Sequence, residues 1–116
     1  VVIDGPESEG GRNIGMRPME LMLMGVGGCA SFDVMMILRK ARQPVTDCIA
    51  KIVAKRSDEI PSVFTDIHLH FIIKGDVKES QVKRAVELSA EKYCSASIML
   101  GRAGVNISHD FEVVQP

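Results

Sequence analysis

The stretch that decides the fold is Pro18-Met-Glu-Leu-Met-Leu-Met-Gly-Val-Gly-Gly-Cys29, continuing through Ala30-Ser-Phe-Asp-Val-Met-Met-Ile-Leu38 to Arg39-Lys40. It is rich in long unbranched side chains, and Pro18 sits where a first helical turn accepts it. The spacing predicts a helix from Pro18 to about Ala41, apolar on every side until Arg39. A helix without a polar face must be buried, and in a chain of 116 residues that calls for a partner helix. Six of the seven methionines (16, 19, 22, 24, 35 and 36) fall in or beside it, as adaptable core filling. Gly25, Gly27 and Gly28 each cost about 1 kcal/mol relative to Ala. They therefore predict a kink or a close backbone approach just before Cys29.

Outward from this helix the chain alternates between periods. Val1 to Ile3 reads as the tail of a strand ended by Asp4-Gly5-Pro6, and Glu7 to Gly15 as a loop. Thr46 to Arg56 predicts a strand with Cys48, Ala50, Ile52 and Ala54 on one face. Val63 to Lys74 predicts a second strand, with Ile67, Leu69, Phe71 and Ile73 inward and Asp66, His68 and His70 outward. Lys78 to Tyr93 predicts an amphipathic helix with Val82, Val86, Ser89 and Tyr93 as its inner stripe, and Glu79 pairing Lys83 on its surface. A short helix, Cys94 to Arg102, and a closing strand carrying Val105, Ile107, Phe111 and Val113 complete a single α+β domain spanning residues 1–116. The chain opens on Val1 without Met, so its natural start, with further N-terminal strands, is expected to lie upstream.

Composition narrows the function classes. With 46% apolar and 25% charged residues the chain is an ordinary folded protein. A net charge of −1, one Tyr and no Trp remove the basic surface and stacking rings that nucleic-acid binding uses. The longest apolar run, Leu21 to Ala30, is short of the roughly 20 residues that span a bilayer. The expectation is therefore no nucleic acid and no membrane. Cysteines at 29, 48 and 94 match neither a zinc spacing nor an even disulfide framework. They fit a reducing, cytoplasmic compartment.

Two of these thiols are candidates for chemistry. Cys29 lies among small residues, which leave a substrate room to reach it, and Cys94 opens a helix beside hydroxyls. They stand on different elements, so either the fold brings them within disulfide reach or they are two separately buried cysteines. Cys48, on an inward strand face, reads as core. Glu20 is the first ionisable group inside the long helix. On an ideal helix it lies about 13.5 Å along the axis from Cys29 and on the opposite face. It is either a first-turn carboxylate complementing the helix dipole or a group that serves Cys29 across a dimer of packed helices. Two His at i, i+2 on the Asp66/His68/His70 face could chelate a metal, but no third ligand is evident, so no metal or other cofactor is expected. His109 reads as a core or interface residue, and the Gly25–Gly28 run lies inside a helix, where it makes a poor phosphate loop.

Taken together, Pro18-Met19-Glu20-Leu21 leading to Gly27-Gly28-Cys29, then Glu91-Lys92-Tyr93-Cys94-Ser95, then Val105-Asn106-Ile107-Ser108, resemble the OsmC/Ohr family of thiol peroxidases, and more closely its YhfA-like branch. The resemblance covers essentially the whole chain. It implies an intertwined homodimer, with antiparallel sheets wrapped around two central apolar helices and active sites at the subunit interface. It implies that Cys29 attacks an organic hydroperoxide, yielding an alcohol, and that Cys94 resolves the sulfenic acid as a disulfide. Glu20 of the other subunit would orient the site, and a lipoyl or thioredoxin-like dithiol would restore the thiols. The chain departs from the peroxidases in having Met19 directly after the proline, with the acid one residue later at Glu20. The family's activating Arg belongs to an N-terminal strand, and neither Arg12 nor Arg17 can be assigned its role. The alternative expectation is a non-catalytic module whose Met-lined interface pocket holds a small apolar ligand.

Overall fold

The computed structural model describes residues 1–116. The long helix α1 runs Pro18–Lys40, within a residue of its sequence-based bounds. Its start is capped by its own acid: Glu20 Oε1 accepts the Arg17 backbone N–H at 2.8 Å. At the other end Arg39 and Lys40 complement the helix dipole. Strand β1 (Val45–Arg56) and strand β2 (Phe64–Gly75) form an antiparallel hairpin in which Ala50 faces Phe71 and Ile52 faces Leu69. Helix α2 (Glu79–Leu88) comes next, then a π turn (Ser89–Tyr93), helix α3 (Ser95–Arg102) and strand β3 (Asn106–Val114).

The sheet order is β1-β2-β3, and β3 runs parallel to β2. The sheet within this chain is therefore mixed rather than antiparallel throughout. The cause is the α2–α3 crossover: a strand that returns to the same sheet by way of helices arrives in the same direction.

The core lies between one face of this sheet and the helices. Ile67, Leu69, Phe71 and Ile73 of β2 are buried there against Val26, Ala30, Val34 and Leu38 of α1 and Val82, Ala85 and Val86 of α2. Those α1 residues recur every four positions, which is one stripe of a helix. Gly27 belongs to the same stripe, and a Cβ there would sit 2.4 Å from Ile52 Cδ1, so this glycine lets α1 approach β1 closely. Gly25 and Gly28 face open space instead.

One side of α1 has no cover within the chain, although Met19, Leu23 and Ile37 pack against the edge of the core. Phe32 is 70% exposed and Met24 56% exposed, beside Met22, Gly25 and Gly28. In length and composition α1 is apolar enough to cross a membrane, which the unbroken apolar run alone did not indicate. The chain as a whole is also less compact than is usual for its size. Its accessible surface is 7512 Å², against about 6,200 Å² for a compact monomer of this mass. Its radius of gyration is 15.9 Å, where about 13.4 Å is usual for this length.

Two local expectations are corrected. The α-helical part of the Lys78–Tyr93 segment ends at Leu88, and the π turn beyond it swings Tyr93 out of the inner stripe to 48% exposure. No ion pair forms between Glu79 and Lys83; the salt bridges of this chain all involve His68 or His70. At solvent-exposed positions such a pair gains little over hydration.

Candidate functional site

Cys29 lies near the middle of α1, on the edge of its buried stripe, and Cys94 ends the π turn as the residue before α3. The Cys94 N–H donates to Ser89 O at 2.7 Å, and Ser89 is itself buried against α1, where its Oγ lies 3.5 Å from Ala30 O. Ser89 thus meets α1 one residue along from Cys29, and its carbonyl holds the Cys94 backbone at that site. The fold brings together the two cysteines that the sequence alone left open. Both thiols are free.

A third group completes the site. A carboxylate oxygen of Asp33 and the Cys29 and Cys94 sulfurs all lie within 4.8 Å of one another. Sequence reasoning passed over Asp33, although its signal was present: residues four apart on a helix share a face, and Asp33 lies four positions after Cys29. Asp33 is only 9% exposed, and its Oδ2 is buried with no hydrogen-bond partner.

Burial governs the electrostatics. It pushes the Asp33 carboxyl above the usual carboxylate range. It also raises the Cys94 thiol, an effect that hydrogen bonds from Ser97 oppose and the neighbouring Cys29 thiol reinforces. The start of α3, which Cys94 precedes, would favour a thiolate, but burial outweighs it. None of the leading influences on Cys94 is a cation. The Arg17 guanidinium is engaged with Asn13 Oδ1 at 3.0 Å and Gly15 O at 3.4 Å.

The raised Asp33 has a measurable consequence. A carboxyl whose folded pKa exceeds its unfolded one favours folding when protonated, and that advantage is lost as pH rises through the folded value. Asp33→Asn in chelator-treated buffer should therefore raise the melting temperature at pH 7 by a few degrees, for about 1 kcal/mol of relief. The gain should fade as pH falls toward 3.8, the carboxyl's ordinary value. Thermal unfolding at the two pH values checks it.

The remaining candidates lie elsewhere. Glu20 is exposed in the first turn of α1, where it accepts the Arg17 N–H. Cys48 is half-buried on the inner face of β1, and burial raises its thiol, opposed by Ser31, in keeping with a core residue. His109 is half-buried on the inner face of β3, beside Val86 and Phe111.

On the outer sheet face His68 and His70 do share a side, but their partner is Asp110 of β3. Its Oδ1 lies 3.0 Å from His68 Nε2 and 2.7 Å from His70 Nδ1. Asp66 turns instead to Thr65 and Asn106. The Asp110 hydrogen bond raises the His70 pKa, and the His70 hydrogen bond is the largest of the influences holding Asp110 low. The stabilising pair is thus present below the ordinary His value of 6.5 and is lost as pH rises through the raised one. An NMR titration should show the His70 pKa falling toward 6.5 in Asp110→Asn.

The chain's relatives share this architecture. The OsmC-like protein family model matches residues 9–110. Protein YhfA of Escherichia coli K12 is 55% identical over 98 residues, covering 84% of this chain and 72% of YhfA. A hypothetical protein from Aquifex aeolicus has a crystal structure that aligns with TM-score 0.84 at 36% identity, covering 90% of this chain and 78% of that one. The crystal structure of an organic hydroperoxide resistance protein OsmC from Legionella pneumophila aligns with TM-score 0.74 at 18% identity, covering 95% and 79%. At that identity the last likeness speaks for the fold alone. The family match over most of the chain, together with the extent of the likeness to YhfA, means that the chain belongs to the OsmC-like family.

Proposed function

We propose that the protein is a homodimeric thiol peroxidase that reduces organic hydroperoxides to alcohols in the reducing environment of the cytoplasm. The observation that carries this reading is the meeting of two free thiols, from distant parts of the chain, in a small-residue site. Its setting in a fold whose members include proteins named for organic hydroperoxide resistance supports the substrate class.

The reaction divides between the two sulfurs according to their surroundings. Cys29 is half-buried, so a substrate can reach it, and its thiolate attacks the outer peroxide oxygen. The O–O bond breaks, Cys29 becomes a sulfenic acid and the leaving alkoxide takes up a proton as the alcohol. Cys94 is fully buried and its thiol is pushed up, which suits a group that stays protonated until the sulfenic acid forms. It then displaces hydroxide, released as water, and the disulfide that forms is the thiol pair less the two electrons taken by the peroxide. A lipoyl or thioredoxin-like dithiol replaces them by exchange.

The partner in the dimer is a second copy, set against the uncovered face of α1. The excess of about 1,300 Å² over a compact monomer is in the range that one chain of an obligate pair buries. In that arrangement Glu20 of one subunit orients the thiol site of the other while it caps its own helix.

The test is stoichiometric. One equivalent of cumene hydroperoxide should convert the reduced protein to a form with a Cys29–Cys94 disulfide and an unmodified Cys48, read by peptide mass spectrometry. A protein that leaves the peroxide unconsumed, or that links Cys48 instead, refutes the assignment.

A further inference from the structure

The orphaned carboxylate at the thiol pair has a use that the peroxidase reading does not supply. We propose that Cys29, Asp33 and Cys94 of the reduced protein form a binding site for a single divalent zinc ion. Three donors within 4.8 Å of one another are near enough to close on one four-coordinate zinc, whose sulfurs at about 2.3 Å and oxygen at about 2.1 Å stand about 3.7 Å apart. The independent pointer is Asp33. The residue is nine-tenths buried, its Oδ2 is fully buried with no hydrogen-bond partner, and it sits one helical turn from Cys29. An unpaired acid in such a place costs stability unless something positive meets it, and no Lys or Arg side chain bonds to it here.

The donor set selects the metal class. Two thiolates disfavour magnesium and calcium, which take oxygen ligands, while a carboxylate oxygen is a poor ligand for copper(I). Zinc accepts both. The elements also hold the site in shape: Cys29 and Asp33 share the rigid α1, and Cys94 is tied to the Ser89 carbonyl. Because Cys29 is only half-buried, the fourth position faces outward and takes a water molecule.

Zinc and peroxide would compete for the same sulfurs. Release of the metal rests on the peroxidase reading, whereas its binding does not. When a hydroperoxide oxidises the loaded site, two electrons pass from the thiolates to the O–O bond. Two protons from solvent complete the alcohol and water, the disulfide forms, and the zinc ion is freed because it has lost its sulfur ligands.

Titration of the reduced dimer with zinc against a chromophoric chelator should give one ion per chain, abolished in Cys29→Ser and in Cys94→Ser. Asp33→Asn should weaken binding at least about tenfold, the loss that even an outer-shell partner produces. It should keep the sulfur-to-metal charge-transfer band seen when cobalt(II) replaces zinc. Cys48→Ser, and His68→Gln with His70→Gln, should bind as the parent does, with circular dichroism verifying the fold of each variant. Unchanged affinity in Asp33→Asn, binding that survives loss of Cys29 or Cys94, or binding lost with the two histidines overturns the site. Cumene hydroperoxide should then eject the bound zinc. Retention of zinc after peroxide treatment would leave the metal site standing and count against the peroxidase. Disulfide formation in a protein that never bound zinc would do the reverse.

Discussion

Cys29→Ser is expected to reduce hydroperoxide consumption to the background of the buffer, a loss of about a thousandfold or more, as is usual when a covalent nucleophile is removed. A serine hydroxyl has nearly the same size, so the helix packing around Ala30 and Val34 is undisturbed and the change isolates the chemistry. Cys94→Ser should behave differently: one turnover proceeds and leaves a sulfenic acid on Cys29 that a dimedone-type reagent traps. Cys48→Ser should turn over like the parent, because that thiol is not part of the Cys29–Asp33–Cys94 group and burial holds it up. The measurement is peroxide consumption by a ferric-thiocyanate assay, with intact mass after each step. Consumption at the parent rate by Cys29→Ser would replace the peroxidase with the non-catalytic, ligand-holding module as the reading of this site.

Phe32→Glu should dissociate the dimer. Phe32 is 70% exposed in the single chain, on the part of α1 that also carries Gly25 and Gly28, whose missing side chains leave room for a second helix. Burying a phenylalanine is worth about 1.5–3 kcal/mol. A two-fold interface contains the residue twice. Removing both should therefore weaken association by about 3–6 kcal/mol, or roughly a hundredfold to ten-thousandfold in Kd, before the repulsion of two buried carboxylates is counted. Analytical ultracentrifugation of the parent should show a dimer at micromolar concentration, and of the variant a monomer or an unfolded chain, with circular dichroism separating the two. A parent that sediments as a stable, folded monomer would rule the dimer out.

Much of this molecule is legible residue by residue. Pro18 and Arg39-Lys40 mark the ends of α1, and the alternation through Ile67, Leu69, Phe71 and Ile73 marks the buried face of β2. Both are local signals, since helix ends and strand faces are set by neighbours a few positions away. The same locality misled at Tyr93, where continued helical spacing predicted an inward side chain. A π turn changes the number of residues per turn and so rotates the side chains at its far end.

Residue order alone was enough for the long helix, the three strands of the sheet, most of their apolar faces and the family, because spacing and residue type act over a turn or a strand and the motif residues stand in plain order. The site is a product of the folded chain. Nothing in the order of residues requires Cys94 to lie beside Cys29; that comes from the crossover that sets β3 parallel to β2 and from the bond of Cys94 to Ser89. Nor does a lone Asp33 in a helical run announce its state. Its raised pKa arises because packing takes away the water that would stabilise its charge and supplies no partner in exchange. Desolvation depends on the surroundings of an atom in every direction, and those are fixed only once the chain has folded.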